Sequence, residues 1–154
     1  MEINMKDFVG PCSCGRDHQL VVDEVILEKG ALEKVSEIFK KEPYAKYKHL
    51  VMVCDENTYQ AAGETVEKQL TGIKVIQLES KNLHANEIGV AKVEKELSKI
   101  EKVDCMVAVG SGTIHDLTRY SAYQKGIPFI SIPTAASVDG YVSTVAAMSW
   151  YGFK

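Results

Sequence analysis

Two short stretches in the second half of the chain combine residue types that can hold an anion. Gly110-Ser111-Gly112-Thr113 lies between the apolar run 103–109 and a helix-like segment. A strand should therefore end where the backbone N–H groups become unobstructed, and a helix should begin there. The free amides of a helix N-terminus and its aligned peptide dipoles together favour phosphate. The pattern is neither Gly-x-Gly-x-x-Gly nor the Lys-containing phosphate loop, so by spacing alone Gly110 and Gly112 could equally serve a tight turn. Further on, Pro133-Thr134-Ala135-Ala136-Ser137-Val138-Asp139-Gly140 sets small hydroxyl residues beside one acid.

Asp55 follows an apolar run directly. A carboxylate there can accept hydrogen bonds from two ribose hydroxyls, or it can cap the next helix. His115 and Asp116 sit one turn into the helix after the glycines, but adjacent helical residues diverge and need not act as a pair. A solvent-facing His115 and a dipole-favoured Asp116 are expected. His18, His49 and His84 are scattered, and Trp150 with the seven tyrosines forms no stripe of nucleic-acid type.

The elements that must position these residues follow from periodicity. Apolar runs at 24–27, 49–54, 74–77, 103–109 and 128–132 alternate with one-sided helical patterns at 31–41, 58–70, 86–100 and 113–125. The alternation predicts an α/β fold of βαβ units with a parallel sheet. The runs 49–54 and 103–109 are nearly continuous in Val, Met, Leu and Ala, as central strands covered on both faces should be. Gly126 before Pro128 is a helix-stop signal. Ligands of open parallel sheets bind beyond the carboxyl ends of the strands, so Asp55, the Gly110 loop and the Thr134 segment should share one rim.

The 154 residues suffice for one ordinary domain. Lys and Arg number 18 against 21 Asp and Glu, a formal charge of −3 that offers no general attraction to nucleic acid or anionic lipid. Neither a signal-peptide pattern nor an apolar run of membrane-spanning length is present, so a cytoplasmic chain is expected. Cys54 and Cys105 fall in strand-like runs as small hydrophobes. Cys12, Cys14 and His18 can be read as metal ligands. Cys-x-Cys nevertheless lacks the usual two-residue gap and no fourth ligand is near, so residues 1–23 are expected to form a mobile lead-in without a metal.

Gly110-Ser111-Gly112-Thr113-Ile114-His115-Asp116 resembles the Gly-Gly-Gly-Ser-Val-Ile-Asp loop of the superfamily that holds dehydroquinate synthase and the iron-type alcohol dehydrogenases. Leu117-Thr118-Arg119-Tyr120, and Ile132 through Ser143, are similar to the glycerol-1-phosphate dehydrogenases, bacterial branch. The resemblance implies that 24–154 is a Rossmann-like NAD(P)-binding domain of the dehydroquinate synthase-like fold. It implies that Gly110, Gly112, Thr113, Ile114, His115 and Asp116 wrap the cofactor pyrophosphate and Asp55 holds the adenosine ribose. Thr134, Ala135, Ala136 and Ser137 would line the dinucleotide, Ser143 would add a contact, and Asp139 would meet the substrate.

The implied reaction is reduction of dihydroxyacetone phosphate to sn-glycerol 1-phosphate by NADH or NADPH at a bound zinc or nickel. The partners implied are a phosphorylated triose and, as members are commonly dimers, a second copy. The family's metal ligands, an Asp and two His, belong to a helical half that follows this stretch. Residues 142–153 resemble one arm of a hairpin that stops, so the chain reads as the cofactor half, inactive alone. Two other readings stay open: a non-catalytic nucleotide-binding or dimerisation module, and another polyol dehydrogenase or dehydroquinate synthase of the same superfamily.

Overall fold

The computed structural model of the chain describes residues 9–19, 22–137 and 142–153. The chain divides into two compact units, Met1–Ala31 and Leu32–Lys154.

In the first unit, strands β1 (Gly10–Pro11) and β2 (Asp17–His18) pair antiparallel, with Gly10 opposite His18. Cys12 N donates to Arg16 O, and Gly15 N to Cys12 O, both at 2.9 Å. Gly15 turns the chain at φ 82°, a left-handed value that glycine adopts without steric cost. A short hairpin thus lies within the stretch 1–23 that was read as a lead-in. The strand expected at 24–27 does not form. Ile26 makes a lone bridge, because the apolar run is only three residues long and leaves Ile26 and Leu27 exposed.

The second unit is built on a four-stranded parallel sheet: β3 (Leu50–Asp55), β4 (Lys74–Leu78), β5 (Cys105–Gly110) and β6 (Phe129–Pro133), in the order β4-β3-β5-β6. Successive side chains of a strand point to opposite faces, and here both faces are covered. Val51, Val53, Met106 and Ala108 pack with Ile114 and Leu117 on one side. Met52, Cys54, Val107 and Val109 pack with Val66 and Leu70 on the other. All of β5 is buried, which explains its unbroken apolar run.

The helices follow the expected order with altered ends. The expected helix at 31–41 shrinks to a 3-10 turn, Leu32–Lys34, and α1 (Val35–Ile38). The Gln69 amide holds it, donating to Leu32 O at 2.7 Å and accepting from Ser36 N at 3.2 Å. The helix after β3 runs as α2 (Glu56–Thr58), a π-helical segment Tyr59–Gly63 and α3 (Glu64–Gln69). It begins earlier than expected because Asp55 caps it. Then α4 (Glu87–Leu97) and α5 (Gly112–Lys125) lie side by side on one face. Gly89 permits their approach, since a Cβ there would collide with His84 O and lie 2.8 Å from Leu117. Gly126 ends α5 at φ 63°, as its place before Pro128 predicted.

Residues 142–148 contain no regular strand. The turn beyond them is a two-residue hairpin turn, with Tyr151 and Gly152 at φ 51° and 85° and paired Trp150–Phe153 backbone bonds of 2.7 and 2.9 Å. Ser149 N donates to Ala85 O at 2.8 Å, which lays this segment beside the start of α4.

Candidate functional site

The chain leaves β3 for β4 on one side, then reaches β5 on the other, so the strand order reverses between β3 and β5. Loops leaving two neighbouring parallel strands in opposite directions open a crevice at their carboxyl ends, where ligands of such sheets bind. Asp55 and Gly110 flank that crevice, each two residues beyond the paired Val53 and Ala108. Gly110 in turn pairs with Pro133, and Thr134 N donates to Gly110 O at 2.9 Å. Asp55, the glycine loop and the Thr134 segment therefore share one rim, as predicted from sequence.

The helix starts on this rim differ in one respect. Asp55 Oδ1 accepts from Asn57 N at 2.9 Å and Thr58 N at 2.8 Å, while Thr58 Oγ1 accepts from Asp55 N at 2.9 Å. This is a complete capping box, so the capping role of Asp55 is realised. Oδ2 makes no hydrogen bond among the described residues. Asn86 likewise caps α4 through Gly89 N at 2.9 Å. At α5 the Ser111 side chain makes no capping bond, and the first helical bond runs from His115 N to Ser111 O at 3.1 Å. The amides of Gly112, Thr113 and Ile114 thus have no intrahelical acceptor and face the end of β5.

The side chains behind these amides separate into two groups. Ile114 is buried in the core under Gly110, where a Cβ would stand 2.5 Å from Ile114 Cβ, so Ile114 can offer a ligand only its backbone. His115 is not solvent-facing as expected: it is 1% exposed, edge-on to Phe129, with Nδ1 2.7 Å from Ser111 O. The expectation failed because helix position alone does not reveal that β6 covers this face. Burial holds the His115 pKa below its ordinary value, although the Ser111 carbonyl opposes the shift. Neutral His115 donates from Nδ1, leaving Nε2 a buried acceptor without a partner.

Asp116 lies 3.7 Å from Arg119, both largely buried. Ser143 is engaged locally, donating to Val145 O at 3.0 Å and accepting from Val145 N at 3.2 Å. Ala135, Ala136 and Ser137 are exposed just past β6. Asp139 lies outside the described residues. Sequence reasoning missed Glu56, which accepts from Ser80 N at 2.8 Å and from the Ser80 hydroxyl, joining the ends of β3 and β4 on the same rim. The Ser80 hydroxyl bond, foremost, keeps the Glu56 carboxyl below its usual range. The charge of Glu56 next to Asp55 was the available signal.

Two features lie away from the rim. A depression of about 580 Å³, lined by Lys46, His49, Lys102 and Asp104 among others, sits at the amino ends of the strands, opposite to the crevice. Among the described residues the only cluster of three or more potential metal-binding side chains is Cys12, Cys14 and His18, whose ligand atoms all lie within 4.8 Å of one another. The backbone N–H of Cys14, with further bonds from Cys14 and Ser13, holds the Cys12 thiol below its ordinary pKa.

The sequence signature of the family described as iron-containing alcohol dehydrogenase matches residues 26–153. The chain belongs to this family. It is 40% identical over 139 residues to the glycerol-1-phosphate dehydrogenase [NAD(P)+] of Bacillus subtilis (strain 168), covering 86% of this chain and 34% of that protein. It is 32% identical over 133 residues to the enzyme of that name from Pyrococcus furiosus, covering 85% and 37%. The chain thus spans about a third of the length of the curated relatives it matches. Among solved structures, an alcohol dehydrogenase from Oenococcus oeni aligns with a TM-score of 0.65 at 17% identity, covering 82% of this chain and 38% of that one. Maleylacetate reductase from Agrobacterium tumefaciens aligns at 0.64 and 18% identity, covering 82% and 35%. The expected α/β architecture and family are therefore established. No helix among the described residues is long and apolar enough to cross a membrane.

Proposed function

We propose that this chain is the dinucleotide-binding part of an NAD(P)-dependent sn-glycerol-1-phosphate dehydrogenase, which reduces dihydroxyacetone phosphate. The carrying observation is the uncapped start of α5 at the reversal point of the sheet, facing a crevice flanked by Asp55. The residues fit a dinucleotide. The amides of Gly112, Thr113 and Ile114 would hold the pyrophosphate charge, helped by the α5 dipole, while the side chains of Ile114 and His115 fix the loop from beneath. Asp55 Oδ2 would accept from the adenosine ribose without giving up the cap made by Oδ1. Thr134, Ala135, Ala136, Ser137 and Ser143 would line the remainder, and Asp139 would contact the triose. When bound, NAD(P)H supplies the hydride.

The residues on this rim do not fit the family's divalent ion. The clustered metal-binding side chains among the described residues are thiols and an imidazole on the other unit, so no step through an ion is derived. The 154 residues by themselves would bind cofactor and not turn over substrate.

Calorimetric titration of the 154-residue chain with NADH, then NADPH, tests this reading. Saturable binding at one site per chain is expected, with Gly112→Val abolishing it. A folded chain that binds neither dinucleotide would refute the assignment.

A further inference from the structure

The geometry points to a zinc site in the amino-terminal hairpin, formed by the thiolates of Cys12 and Cys14 and the imidazole of His18. Their three ligand atoms lie within 4.8 Å of one another, close enough to meet around one ion. Cys14 Sγ and His18 Nε2 are already 3.2 Å apart. Two thiolates and one imidazole are the donor set of a borderline-soft d10 ion, and three protein ligands with a water in the fourth position is a coordination zinc accepts. Each thiol would bind as thiolate and release its proton to solvent.

The surrounding backbone supports this in two ways. The turn between the strands folds Cys14 back over Cys12 through the Gly15 N to Cys12 O bond, which brings both sulfurs to the side of the hairpin on which His18 lies. Cys-x-Cys spacing, unfavourable by itself, becomes workable because β2 returns His18 to the pair. Further, β1 and β2 contribute two residues each, and no described residue of 9–30 is buried. Two-stranded hairpins are marginal in water, and among the described residues this one has no buried apolar side chain to hold it. An ion bound across the turn supplies the missing clamp, and all three ligands are exposed to solvent for its entry. Its three ligands belong to the first unit, and the residues proposed to bind the dinucleotide belong to the second.

The test is titration of the reduced 154-residue chain with Co2+ as a spectroscopic stand-in, followed by Zn2+ competition. One equivalent of Co2+ should give thiolate-to-metal charge-transfer absorption and the d–d pattern of a four-coordinate ion, and Zn2+ should displace it. Cys12→Ser and Cys14→Ser should each remove one thiolate's share of the absorption, and the double variant all of it. His18→Ala should weaken uptake by at least about tenfold, since loss of even an outer partner commonly does. Far-ultraviolet circular dichroism should be unchanged throughout, because the ligands lie outside the second unit. Backbone exchange at 10–18 should slow when Zn2+ is added. No uptake by the reduced wild type, a six-coordinate spectrum without thiolate bands, or undiminished uptake by the double variant would each overturn the site.

Discussion

Arg119 Nη1 donates to the carbonyl oxygen of Val145 at 2.9 Å, which ties the segment after the Thr134 loop to the middle of α5. The guanidinium also lies 5.0 Å over the Phe129 ring and 3.7 Å from Asp116. One side chain thus joins α5, β6 and residues 142–146. Arg119→Ala should destabilise the chain by about 1.5–3 kcal/mol, the range for hydrogen bonds to charged groups. Urea unfolding measures that loss, and faster amide exchange at 142–146 with α5 still protected locates it.

The two roles assigned to Asp55 separate by substitution. Asp55→Asn keeps an oxygen that can accept from the amides of Asn57 and Thr58, so stability should change little. It removes the charge offered to a ribose, and NADH affinity should fall. Asp55→Ala should lose both affinity and about 0.5–2 kcal/mol of stability. Equal NADH affinity in wild type and Asp55→Asn would leave Asp55 as a cap alone.

His115 makes the chain acid-sensitive. Its folded pKa lies below the ordinary 6.5, so between the two values the unfolded chain binds more protons. The contribution of neutral His115 is complete above about 6.5 and is lost as pH falls through the lowered folded value. Denaturation midpoints should decline across that window in the wild type and less steeply in His115→Leu. Parallel profiles would contradict a buried neutral imidazole.

The four cysteines should react in two classes. Burial pushes the Cys54 and Cys105 thiols up to about 12, whereas Cys12 and Cys14 are exposed. In metal-free native protein a disulfide reagent should modify Cys12 and Cys14 quickly, with Cys54 and Cys105 reacting only in denaturant. Rapid native modification of all four would show that β3 and β5 are accessible.

Gly110 is required by packing. Gly110→Ala should cost about 1–3 kcal/mol, the usual range for overpacking, because its Cβ would meet Ile114. Thermal unfolding of this variant, compared with Gly112→Val, separates the two glycines: the first should lose stability, the second dinucleotide binding. A Gly110→Ala chain as stable as wild type would mean that Ile114 can move aside.

What the sequence determined by itself is the part governed by local chemistry. The continuous apolar runs of β3 and β5 announce strands covered on both faces, and Gly126 announces the end of α5. The glycine loop and the Thr134 segment identified the family and one rim, because each follows directly on a strand. Tertiary structure decided what depends on neighbours distant in the chain. Whether His115 faced water depended on β6. The shortened helix at 32–38 is bonded by the amide of Gln69, more than thirty residues away, and the run at 24–27 forms a single bridge in place of a strand. The cluster of Cys12, Cys14 and His18 is the plainest case: spacing along the chain argued against it, and the return of β2 brought the three side chains together. Periodicity reports which face of an element is apolar, but only the assembled fold fixes what that face meets.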